Sequence, residues 1–210
     1  MEKEEEKLKE IVSKVAVCQR CSLYKTATQA VPGEGNPNAE IMFIGEAPGF
    51  YEDQQGRPFV GQAGKLLDEL IQSIELLRED VFIGNVIKHR PPNNRDPLPQ
   101  EIQACEAWLD QQLEILQPKI IVTLGRFSMT KFLPGEYISK IHGQARSIDF
   151  SNRKIIVIPM YHPAAALRST GVMGQIREDF KKIPRFLKRG AEQSGDDHLE
   201  DDKEQLSLIN

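Results

Sequence analysis

Cysteine is scarce in this sequence, and long apolar runs are missing. Three cysteines in 210 residues are too few for a disulfide framework and suit metal or cluster chemistry in a reducing compartment. No apolar stretch reaches membrane length. The opening MEKEEEKLKEIVSKVAV alternates acid and base and lacks the apolar segment of a secretory signal. The reading is a cytoplasmic protein without a membrane partner. No internal repeat is present, and 210 residues suffice for one domain with a core of its own.

Positive charge is scarce only on the surface of the count. The net charge is −4, but residues 191–210 hold seven acids against one lysine, so residues 1–190 carry +2. The expected organisation is a folded domain over 1–190 and an acidic disordered tail over 191–210. A mildly basic folded part is compatible with a nucleic-acid partner.

Residues 2–17 place Leu8, Ile11, Val12 and Val15 on one side of a Glu/Lys-rich stretch and predict an amphipathic helix. Four short runs rich in Ile and Val follow: EIMFIG (40–45), VFIGNVI (81–87), KIIVTLG (119–125) and KIIVIPM (154–160). They read as buried parallel strands. Helical spacing lies between them over 63–77 and 99–116. The alternation predicts an α/β three-layer α/β/α sandwich with a four-stranded parallel sheet. GEAPG, KHRPPNNRDP, GRFS and YHPAAALR each follow one of these strands. Open α/β sheets bind ligands at that edge, so four loops should build one site.

The stretch GEAPGFYEDQQGRPFVGQAGK (45–65) has the glycine content of a phosphate loop, yet Glu46, Glu52 and Asp53 repel phosphate. A flat, nearly neutral ligand fits better, with glycine letting backbone amides approach it. Phe59 lies in a glycine-flanked turn; it is a core residue or a stacking surface for a base. Asn85 ends a strand; it is a turn residue or a reader of a pyrimidine edge, since its amide both donates and accepts. His162 precedes Pro163, the proline of a first helical turn, and should cap that helix at the site edge. Cys18 and Cys21 form a C-x2-C corner. Cys105 is either a third ligand or a small buried hydrophobe.

These ordered motifs resemble the thermostable iron–sulfur uracil-DNA glycosylases, family 4: GEAPG-x-x-ED, GRPFVG, N-V-I-K-x-R-P-P-x-N-R-D-P and H-P-A-A-A-L-R, running from about Cys18 to about Leu187. The resemblance implies a DNA repair hydrolase that flips deoxyuridine out of uracil-containing DNA and cleaves its N-glycosidic bond, with no lyase step. It implies that Phe59 stacks on uracil and that Asn85 reads the N3/O4 edge. Backbone at Glu46 and Ala47 would approach the carbonyls, and Glu52 would help exclude a C5 methyl. Glu46 would position water and His162 would donate to O2. Lys88, Arg90, Arg95, Leu167 and Arg168 would meet DNA. Cys18, Cys21, His89 and Cys105 would hold a 4Fe-4S cluster, with zinc as the alternative. His89 departs from the family, which usually has cysteine there; histidine can replace thiolate on iron. A covalently trapping branch carries a longer loop with a nucleophilic histidine, which PPNNRDP lacks, so turnover is expected. A non-catalytic DNA-binding module, an electron-transfer protein and a glycosylase for another deaminated base are the rival readings. A monomer without an obligatory protein partner is the expected assembly.

Overall fold

The computed structural model describes residues 2–192, and the expected acidic tail lies, from residue 193 on, outside the described residues. Four parallel strands form the centre of the sheet: β2 (Ile41–Gly45), β3 (Phe82–Asn85), β4 (Ile120–Leu124) and β6 (Arg153–Met160). They are the four runs expected from the sequence. The sheet nevertheless has six strands, in the order β1-β3-β2-β4-β6-β5. This corrects the expected count. The additions are antiparallel edges, β1 (Glu34–Gly35) and β5 (Arg146–Phe150). Neither is an apolar run, because an edge strand is only half covered. β5 pairs with β6 through Ser151 and Asn152, both with positive φ, the geometry that tight hairpins require.

β2 shows how the layers form. Met42 and Ile44 join one core with Leu8, Ile11 and Val15 of α1 (Glu2–Ala16) and Leu109 and Leu113 of α4 (Pro99–Leu116). Phe43 joins a second core with Leu66, Leu67 and Leu70 of α3 (Gln62–Gln72) and Ile176 and Phe180 of α8 (Thr170–Phe180). Successive side chains of a strand point to opposite faces, so each face needs its own helical cover. α1 also carries the ion pairs Lys9–Glu5 and Lys14–Glu10 on its wet side. α3 stops at Gln72, short of the expected 77. The chain turns at Glu75, whose φ is 62°, and leaves Leu77 exposed. A last helix, α9, spans Ile183–Glu192 and passes the expected domain boundary by two residues. No described helix is long and apolar enough to cross a membrane.

Candidate active site

The loops after β2, β3, β4 and β6 enclose a cleft of about 600 Å³ at the carboxyl edge of the sheet. Glu46, Ala47, Glu52, Phe59, Asn85 and His162 all line it. These are the six residues expected to bind or act on a base, drawn from three stretches of chain, 46–59, 85 and 162.

Asn85 closes β3 and is 2% exposed, and its Oδ1 has no hydrogen-bond partner among the described residues. A buried amide oxygen without a partner costs free energy. Such a group marks the place of a missing donor. Gly45 makes the arrangement possible: a Cβ there would collide with Asn85 Oδ1 and come within 2.6 Å of the Phe59 ring.

Phe59 has φ of 51°, in the left-handed region that a bulky residue rarely enters. Three devices hold it there. Glu52 Oε1 accepts from the N–H groups of Val60 and Gly61, both at 2.9 Å. Arg78 donates to the carbonyls of Pro58 and Phe59. Gly64 leaves room for the Phe59 carbonyl, into which any Cβ would run. Strain fixed this firmly is characteristic of functional positions. Glu52 therefore braces the Phe59 turn as well as lining the cleft.

His162 caps the short helix α7 (Pro163–Ala166), its Nδ1 accepting from Ala164 N–H at 3.1 Å. The proton of a neutral ring then sits on Nε2, ready to donate. Burial lowers its pKa to about 4; Glu52 opposes that fall and Arg168 adds to it. The imidazole is neutral at pH 7. Its ring stacks beside Phe59 at 5.5 Å between centroids. Glu46 shifts the other way, raised to about 7 by burial and by Asp96, with Arg126 opposing. Two titratable groups driven in opposite directions inside one cleft divide naturally into a base and a hydrogen-bond donor.

The residues expected to meet DNA separate. Arg168 and Leu167 are exposed beyond α7, and Arg168 reaches the cleft. Arg95 also lines the cleft, but both its terminal nitrogens bind the buried Glu101. Arg90 lies 5.1 Å over the Phe50 ring and donates to Asn94 Oδ1. Lys88 is a correction: it is wholly buried and cannot touch DNA in this structure. Its backbone follows β3 into the interior, and burial lowers its pKa to about 8. Sequence reading gave no role to Arg126, which pairs with Asp96 at the cleft, although GRFS was placed at this edge. Nor did it single out Phe50 and Tyr51, exposed aromatics in contact with each other. Exposure of an aromatic leaves no trace in a linear sequence.

The cysteines occupy a different corner. Cys18, Cys21 and Cys105 pack on the α1/α4 core. Trp108 Nε1–H donates to Cys18 Sγ and Lys88 N–H to Cys105 Sγ, each at 3.2 Å. Burial raises the Cys105 thiol to about 11. His89 is buried one residue from Lys88, and burial lowers its pKa, which keeps the imidazole free as a ligand. Among the described residues no three such side chains gather closely enough for a single ion. The three thiols and the two N–H···S bonds are chemically suited to a sulfur-bridged cluster, whose sulfurs take hydrogen bonds.

The sequence matches the family described as the Uracil DNA glycosylase superfamily over residues 32–188. It is 53% identical over 183 residues to a type-4 uracil-DNA glycosylase of Sulfurisphaera tokodaii, covering 84% of this chain and 83% of that one. It is 48% identical to the type-4 enzyme of Archaeoglobus fulgidus, covering 85% and 92% of the two chains. With the type-4 enzyme of Thermotoga maritima it shares 44%, covering 88% and 97%.

Proposed function

The chain belongs to the uracil DNA glycosylase superfamily and, within it, to the type-4 uracil-DNA glycosylases, and from that premise we propose how its pocket releases uracil from DNA. The enzyme is a hydrolase. Water adds to C1′ of a flipped deoxyuridine, and N1 of uracil leaves with the bonding electrons. Positive charge develops on the sugar and negative charge on the base.

Each pocket group answers one part of that change. Phe59, fixed in its turn, offers a face for the base. Asn85 Oδ1 accepts the N3–H of uracil while its NH₂ donates to O4; cytosine presents the reverse pattern. His162 Nε2–H donates to O2 as charge builds there. Glu46, half ionised near neutrality, takes a proton from the attacking water. Glu52 holds the Phe59 turn where a C5 methyl would press. The observation that carries this reading is the buried Asn85 Oδ1, without a partner among the described residues, on a side chain that lines the cleft with Phe59.

Cys18, Cys21, His89 and Cys105 are the residues that would hold a 4Fe-4S cluster. When bound, that group would supply a cross-link between the N-terminal segment, the end of β3 and α4, and one-electron chemistry that hydrolysis does not use. Uracil-containing DNA is the partner, met by Arg168 and Leu167 beyond α7 and by Arg126 and Arg90 at the rim, and the protein acts as a monomer.

The test uses purified protein and end-labelled oligonucleotides bearing single-stranded U, G·U, A·U, G·T and hypoxanthine. Release of free uracil with an alkali-labile abasic product is the expected result. Binding without release, a protein–DNA adduct stable to denaturant, or release of hypoxanthine alone would overturn it. Metal analysis of the same preparation should give about four irons per chain; one zinc and no visible absorbance would overturn the cluster assignment.

A further inference from the structure

Lys88 is wholly buried, and no carboxylate faces it among the described residues. Its Nζ donates to the carbonyl of Asn85 at 2.9 Å and to Gln112 Oε1 at 2.7 Å. Gln112 in turn donates from Nε2 to the carbonyl of Pro32 at 2.7 Å. The backbone of Lys88 is tied as well: its N–H bonds Cys105 Sγ at 3.2 Å and its carbonyl accepts from Val31 N–H at 2.7 Å. Desolvating an ammonium is expensive, and an apolar side chain of similar length would fill this space at less cost. Something other than packing accounts for the charge.

The place of the first acceptor is informative. The Lys88 side chain folds back three residues onto the last peptide of β3. That peptide carries the side chain that lines the cleft and whose buried Oδ1 has no partner among the described residues. β3 pairs with β2 only as far as Asn85 and Gly45. Beyond it the chain follows the next loop through Val86 N–H to Gly45 O and Ile87 N–H to Glu46 O. The Asn85 carbonyl thus sits where the ladder ends, and the ammonium holds it.

We propose that Lys88 is a positioning residue for base recognition: through its hydrogen bond to the Asn85 carbonyl it fixes the direction in which the Asn85 amide meets the base. This rests on the reading that Asn85 recognises uracil. Gln112 and the Pro32 carbonyl complete the device by holding the ammonium from behind. A charge-assisted bond is stronger than a neutral one. Residues coupled through one contact lose activity non-additively.

The experiment compares Asn85→Ala, Lys88→Met and their combination, and repeats the series in a Gln112→Leu background. Lys88→Met with Gln112→Leu leaves no orphan side-chain amide or ammonium and takes a donor from the Asn85 and Pro32 carbonyls only, so it should lose a few degrees of melting temperature at most and keep the parent's iron content. Single-turnover uracil release and inhibition by free uracil are the readouts. Lys88→Met with Gln112→Leu should slow release about ten- to a hundredfold, the effect of one charge-assisted hydrogen bond. It should weaken inhibition by free uracil in parallel, and Asn85→Ala should add almost nothing to it. A folded double variant that releases uracil at the parent rate overturns the proposal, as does a loss that simply multiplies with that of Asn85→Ala. If Asn85→Ala itself is without effect, the reading of the pocket falls and this proposal falls with it.

Discussion

Asn85 and Lys88 are three residues apart on one segment, yet the Asn85 side chain and the Lys88 backbone meet regions of opposite character. The Asn85 side is polar and unfinished. Its amide oxygen lacks a partner among the described residues, Glu46 is pushed up and His162 down, and Phe59 is held in a backbone region it would not choose. The cysteine side is finished. Its sulfurs receive N–H donors from Trp108 and Lys88, and its walls are the core of α1 and α4. Polar groups are normally satisfied where nothing binds or moves. At the cleft the open Asn85 group suits completion by a transient ligand, whereas satisfied sulfurs suit a permanent tie. Lys88 spans the two, its backbone on Cys105 and its side chain on Asn85.

The largest effects should come from the unfinished side. On the proposed mechanism His162→Ala removes the donor to O2, and it should slow single-turnover release by about 10²–10³. Glu46→Gln, which takes away the proposed base, should cost about 10²–10⁴. The stability effect of Glu46→Gln runs the other way. The folded protein holds this proton from the ordinary 4.5 up to about 7, so the stability Glu46 contributes falls as pH rises through that window. At pH 8 the Gln variant should melt no lower than the parent. A variant both slower and much less stable would mean that Glu46 serves the fold. Phe59→Ala should weaken base binding by about 1–3 kcal/mol with the chemical step less affected.

The finished side should respond in stability. Cys105→Ala should lose iron and lower the melting temperature by about 4–8 °C, the shift that roughly 2 kcal/mol produces in a domain of this size. Residual folded protein should still release uracil. If activity vanishes while iron and melting temperature stay put, the two regions are not distinct in the way described.

Much of this division was legible in the sequence. The four parallel strands were runs of Ile and Val, and the odd residues followed each of them, so the edge that holds the cleft could be named in advance. His162 as a cap followed from the proline behind it. What failed had a physical reason. β1 and β5 are half-covered edges whose composition is not apolar. Lys88 looked like a DNA contact because lysine is nearly always at the surface; its burial depends on Gln112, 24 residues away. Arg95 likewise looked free, although Glu101 lies beneath it. Pairings of this kind are set by the tertiary fold.

The smallest effects separate those two arginines. Arg168→Gln should weaken DNA binding equally for all sequences and flatten its salt dependence by about one unit, one phosphate contact. Arg95→Gln should also lower stability, because it strands the buried Glu101.

The central claim is that Glu46 and His162 carry opposite parts of one hydrolytic step. Its most direct test is the pH dependence of single-turnover uracil release, with enzyme in excess, from pH 5 to 9. On the proposed mechanism Glu46 is the base, its pKa raised to about 7, and His162, its pKa lowered to about 4, stays neutral across this range. The rate should therefore climb about tenfold per pH unit below 7 and level off above it, with no descending limb. Glu46→Gln should be slow and flat across the range, and His162→Ala slow with the ascending limb intact. A Glu46→Gln profile that still climbs through pH 7 in parallel with the parent would contradict the account.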